Sequence, residues 1–103
     1  MKVLGVIPSR YGSTRFPGKP LVEIDGKSMI QRVYERSVES HLTRVVVATD
    51  DQRIYDHVKD FGGEVIMTSA DHHTGTDRCV EAYQLLAEDY DAVINIQGDE
   101  PVL

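Results

Sequence analysis

Four short aliphatic runs, separated by stretches with helical spacing, constrain this chain more than anything else in it. Residues 2–7 (KVLGVI), 44–49 (RVVVAT), 64–67 (EVIM) and 91–97 (DAVINIQ) cluster their apolar side chains instead of alternating them. That pattern belongs to strands buried on both faces, and such strands occur in parallel sheets covered by helices. Pro8 ends the first run, and residues 8–20, rich in Gly, Ser and Pro, read as a long loop. Ser28 and Gln31 form a capping box for a helix whose apolar positions are Met29, Ile30, Val33, Tyr34 and Val38. Asp50 or Asp51 can cap a second helix, striped by Ile54, Val58 and Phe61 and stopped by Gly62-Gly63. The run TGTD (74–77) supplies caps for a third, with Val80, Tyr83 and Leu86 facing inward.

Strands and helices in alternation predict an α/β fold: one parallel, Rossmann-like sheet joined by right-handed crossovers. With the first strand between the second and the fourth, the order is 3-2-1-4. Ligands then sit beyond the carboxyl ends of the first and fourth strands, where the order reverses. The loop leaving one carries Arg10, Arg15 and Lys19; the turn leaving the other, 98–101, carries Asp99 and Glu100. A cationic loop facing an acidic turn is what phosphoryl or nucleotidyl transfer requires: cations for phosphates, a carboxylate for a divalent metal.

The charge distribution agrees. The 103 residues carry 11 Lys and Arg against 17 Asp and Glu, for a net charge of −6. Residues 1–36 nevertheless sum to +4 and the remainder to −10. A basic loop on an acidic chain points to a small anionic ligand and away from nucleic acid. The apolar run 3–7 is too short for a membrane span or a secretory signal, so a cytoplasmic protein is expected. One cysteine, Cys79, excludes an internal disulfide and reads as a small buried hydrophobe. His72-His73 has no zinc-ligand spacing. The loop is not a Walker A motif, because five residues separate Gly12 from Gly18-Lys19 and Pro20 replaces the metal-binding hydroxyl. The pattern G-x-G-x-x-G is absent as well.

Residues 7–21 (IPSRYGSTRFPGKPL) resemble the signature loop of the 3-deoxy-D-manno-octulosonate (Kdo) cytidylyltransferases. The likeness continues through 29–34 (MIQRVY), 47–51 (VATDD), 74–78 (TGTDR) and 95–101 (NIQGDEP), in the family's order. Sialic-acid cytidylyltransferases are less similar, since they typically lack the YGSTRF stretch. The resemblance implies a fold of the nucleotide-diphospho-sugar transferase type. It further implies a cytoplasmic enzyme that joins CTP and Kdo into CMP-Kdo and diphosphate for lipopolysaccharide synthesis. On that basis Arg10 and Lys19 hold the triphosphate, with a backbone anion nest at Gly12 and Ser13. Arg15 reaches the sugar acid or a phosphate; Asp99 binds Mg2+; Ser69, Gly75, Arg78 and Gln97 meet the nucleotide. Family members are more than twice this long. The chain therefore reads, over residues 1–103, as the nucleotide-binding amino-terminal part of one domain. A second metal carboxylate, most sugar contacts and a homodimer surface would lie in the remainder, so this part alone is expected to be inactive. Two alternatives stay open: a non-catalytic nucleotide-binding fragment, and a cytidylyltransferase for another sugar acid such as sialic acid.

Overall fold

The structure, a computed structural model, describes residues 2–11, 21–40, 42–69, 75–86 and 89–96. The elements are β1 (Val3–Ser9), β2 (Glu23–Ile24), β3 (Lys27–Ser28), α1 (Met29–Glu39), β4 (Arg44–Thr49), α2 (Gln52–Asp60), β5 (Val65–Met67), α3 (Gly75–Leu86) and β6 (Ala92–Asn95). β1, β4, β5 and β6 form a parallel sheet in the order β5-β4-β1-β6. Counting those four along the chain, this is the expected 3-2-1-4.

Alternation along the strands divides the core into two layers. Ile7, Val45 and Val47 pack with Ile30, Val33, Ile54 and Val58 of α1 and α2. Leu4, Val6, Val46 and Ala48 point the other way and pack on Cys79 and Ala82 of α3. Odd-numbered residues of β1 and β4 thus face α1 and α2, and even-numbered ones face α3.

Helix ends follow the local chemistry. Ser28 Oγ accepts the Gln31 N–H at 3.2 Å, but the Gln31 side chain turns to Glu35, so only half of the capping box is used. Asp51, not Asp50, caps α2 by accepting from the Arg53 and Ile54 N–H groups at 2.9 and 3.2 Å. Gly62, at φ +83°, closes α2: its N–H reaches Lys59 C=O and the Gly63 N–H reaches Val58 C=O, a Schellman arrangement.

Three sequence expectations need correction, and one element adds to them. β1 continues through Pro8 to Ser9. Val6 C=O accepts from Ile96, so even-numbered residues of β1 turn their backbone groups toward β6. That pairing ends at Val6↔Asn95, and the missing Pro8 N–H breaks no bond to β4. Residues 23–28 form a hairpin, with Asp25 (φ +55°) and Gly26 (φ +86°) as its two-residue turn. Asp-Gly is a strong signal for such a turn, because both central residues need positive φ. In α1 the inward position falls to Ser37, whose Oγ donates to Val33 C=O at 2.8 Å, while Val38 is 56% exposed. In α3, Cys79 and Ala82 point inward and Val80 is exposed.

Candidate active site

Ser9, Thr49 and Met67 lie side by side in register at the carboxyl ends of β1, β4 and β5. The next residue of each strand begins the rim where ligands of such sheets bind. β6 is the parallel neighbour of β1 on the other side, in register from Val3↔Ala92 to Val6↔Asn95. Chain leaving β1 at Arg10 and chain leaving β6 at Ile96 therefore depart from the same edge. The first and fourth strands of the expected order 3-2-1-4 are thus neighbours.

Arg10 is exposed just past β1. The Tyr11 ring beyond it lies under the Arg53 guanidinium, 3.2 Å from the ring centroid. Arg53 in turn grips Asp51, with Nη2 to Oδ2 at 2.8 Å and Nε to Oδ1 at 3.2 Å. That guanidinium, followed by the two backbone bonds of the helix cap, holds the Asp51 carboxyl below the usual carboxylate range. The root of the basic loop is thereby docked on the amino end of α2. Ser9 Oγ is buried and meets no partner among the described residues.

Arg78 lies in the first turn of α3. Its side chain is only 2% exposed. Nη1 donates to Thr68 Oγ1 at 2.5 Å and to the Ser69 carbonyl at 3.3 Å, and Nη2 lies 3.8 Å from Asp50 Oδ2. Asp50 follows Thr49 in β4, so strand parity sends its carboxylate toward α3. Parity and a helical register together could have flagged that pairing, yet the sequence reading missed both Asp50 and Thr68. Gly75 opens α3 and Ser69 follows β5. Gly12, Ser13, Arg15, Lys19, Gln97, Asp99 and Glu100 lie outside the described residues, as do His72 and His73. Cys79 is buried as expected, and burial pushes its thiol up to about 11.

Among the described residues no three His, Cys, Asp or Glu side chains converge on a point that could hold a metal ion. No helix among them is long and apolar enough to cross a membrane.

A family model described as cytidylyltransferase matches residues 4–103. The chain belongs to the cytidylyltransferase family. Among its relatives, a protein of Parabacteroides distasonis named 3-deoxy-manno-octulosonate cytidylyltransferase is 62% identical over the whole chain. A protein of the same name from Bacteroides thetaiotaomicron is 59% identical. The chain spans 41% of the length of either relative. A solved CMP:2-keto-3-deoxy-manno-octonic acid synthetase, complexed with CTP, superposes with a TM-score of 0.93 at 52% identity. It is matched by all of this chain, over 42% of its own length. A cytidylyltransferase structure from Leptospira borgpetersenii gives a TM-score of 0.78 at 28% identity, covering 96% of this chain and 42% of that one. The cytidylyltransferase fold thus accounts for both the sheet order and the adjacency of β1 and β6.

Proposed function

We propose that this chain is the nucleotide-binding amino-terminal part of an enzyme that transfers the cytidylyl group of CTP to Kdo. The observation that supports the reading is the parallel pairing of β1 with β6, by which the chain leaves β1 at Arg10 and β6 at Ile96 from one edge of the sheet. The likeness to a Kdo-activating synthetase that binds CTP supports the choice of nucleotide and sugar acid.

In this reading the anomeric hydroxyl of Kdo attacks the α-phosphorus of CTP in line. The bond from that phosphorus to the bridging oxygen breaks, diphosphate leaves, and the hydroxyl proton goes to solvent. No covalent enzyme intermediate is needed, so the protein's work is alignment and charge neutralisation. Arg10 and Lys19 hold the triphosphate, the one by paired hydrogen bonds and the other as a point charge. Backbone N–H groups at Gly12 and Ser13 add to that cradle. Arg15 meets the sugar carboxylate; Ser69, Gly75 and Gln97 meet the cytidine. Mg2+, when bound with Asp99 as a ligand, would supply further neutralisation of the triphosphate oxygens. The full-length protein would be cytoplasmic and homodimeric, with no nucleic-acid or membrane partner.

Diphosphate release by the full-length protein, with CTP and either Kdo or sialic acid, tests this. Turnover with Kdo is expected. Turnover with sialic acid alone would overturn the substrate, and CTP binding without turnover on either would leave a non-catalytic nucleotide-binding protein.

A further inference from the structure

Ser69, just past β5, has both of its main-chain polar groups taken by side chains of α3. Its N–H donates to the Glu81 carboxylate at 3.0 and 3.2 Å, and its carbonyl accepts from Arg78 Nη1. Arg78 and Glu81 are three residues apart, hence neighbours on one face of the helix. Thr68 is held too: its N–H reaches the Thr49 carbonyl at 2.8 Å and its hydroxyl accepts from Arg78. A guanidinium suits this task because its planar fork of donors can serve several acceptors at once, which an ammonium on a flexible stem does poorly. Burying it is costly unless its partners are well placed, and well-packed apolar residues often stabilise a fold as much or more. A buried cation at the ligand-binding edge of the sheet therefore points to fixed geometry as what it contributes.

We propose that Arg78 and Glu81 are positioning residues for the nucleotide. Neither touches CTP; together they clamp Thr68 and Ser69 against α3 and the end of β4, so that Ser69 meets the cytidine from a fixed place. This rests on the reading of the site given above. It replaces direct nucleotide contact by Arg78 with an action exerted through its neighbours.

The test uses the full-length protein. CTP affinity is measured by calorimetry, and KM for each substrate, kcat and Tm are followed alongside. Wild-type turnover with CTP and Kdo checks the functional reading separately, because the calorimetric arm is informative even without turnover. Glu81→Ala is expected to weaken CTP binding by about tenfold, in line with losing one hydrogen bond to a charged acceptor. KM for Kdo and kcat should stay within about twofold of wild type. Glu81→Gln keeps an oxygen acceptor for the Ser69 N–H and is expected to recover most of the affinity. Thr68→Val, which removes an acceptor of Arg78 without deleting the guanidinium, should weaken CTP binding in the same selective way. Unchanged CTP affinity in both Glu81→Ala and Thr68→Val would overturn the proposal. So would a fall in Tm with equal loss for both substrates that Glu81→Gln fails to rescue, since that is the behaviour of a purely structural contact.

Discussion

β4 and β6 flank the same central strand, yet they live in different environments. Val45, Val46, Val47 and Ala48 of β4 are at most 6% exposed, covered by α1 and α2 on one face and α3 on the other. All four residues of β6 are exposed, with Val93 at 41% and Ile94 at 44%. Among the described residues, the β5-β4-β1 side with its helices supplies the cohesion, and β6 is the outer strand of a chain that spans 41% of the length of its relatives. An apolar run reports what a strand can bury and says nothing of whether a neighbour is there to cover it.

Asp99→Asn in the full-length protein should separate chemistry from cohesion most sharply. Turnover is expected to fall by about 10³-fold or more, on the order of losing a group that stabilises charge in the transition state. Tm should stay near that of wild type. Near-normal diphosphate release would remove Asp99 from the site.

Next in size is the cost of opening the covered side. Ile54, on the inner face of α2, is fully buried. Ile54→Ala is expected to cost about 2–5 kcal/mol from lost burial plus the cavity left behind. Ile94→Ala on β6, in the same 103-residue chain, should cost less than about 0.5 kcal/mol, as for an ordinary surface substitution. Urea unfolding of the two variants measures both. Equal costs would erase the contrast between β4 and β6.

A smaller effect sharpens it further, at the cap joining β4 to α2. Asp51→Ala should cost about 1 kcal/mol, the usual penalty for a lost N-cap. Its pH dependence has a definite sign. The folded carboxyl titrates below its unfolded value, so its contribution is fully present above pH ~4 and is lost as pH falls through the folded pKa. Asp51→Asn retains a capping oxygen but cannot ionise, so it should stay close to wild type at pH 7 while flattening the acid limb of the stability profile. An acid limb as steep as wild type in Asp51→Asn would assign that pH dependence to other carboxylates.

Much of this was legible in the chain itself, and the failures have a common physical origin. Features set by local chemistry read correctly: the valine run of β4, the Ser28 and Asp51 caps, the Gly62-Gly63 stop. The Asp25-Gly26 turn was equally local, and it went unread only because no long strand flanks it. Val38 and Ser37 show the other kind of failure. Both positions suit an inward stripe beginning at Met29, and the sheet behind α1 decides between them. The surroundings of Arg78 were likewise beyond local reading, since it is the strand register that places Asp50 and Thr68 beside it. What escaped was tertiary: which helix positions face the sheet, and which groups surround Arg78.

The smallest expected effect concerns an ion pair that contrasts with Arg78 in everything but its charges. Lys27 of β3 and Glu35 of α1 meet at 2.7 Å, with side chains 48% and 42% exposed. The Lys27 hydrogen bond, followed by that of Gln31, lowers the Glu35 carboxyl pKa. Water on both partners screens the attraction, and ordering two long side chains offsets most of what remains. Lys27→Ala should therefore change stability by less than about 0.5 kcal/mol, and by less again at 1 M salt. Denaturation midpoints at low and high salt check this. A loss as large as that of the Asp51 cap, persisting in salt, would mean that the hairpin is pinned to α1 through this pair, and would move residues 23–28 into the cohesive half of the molecule.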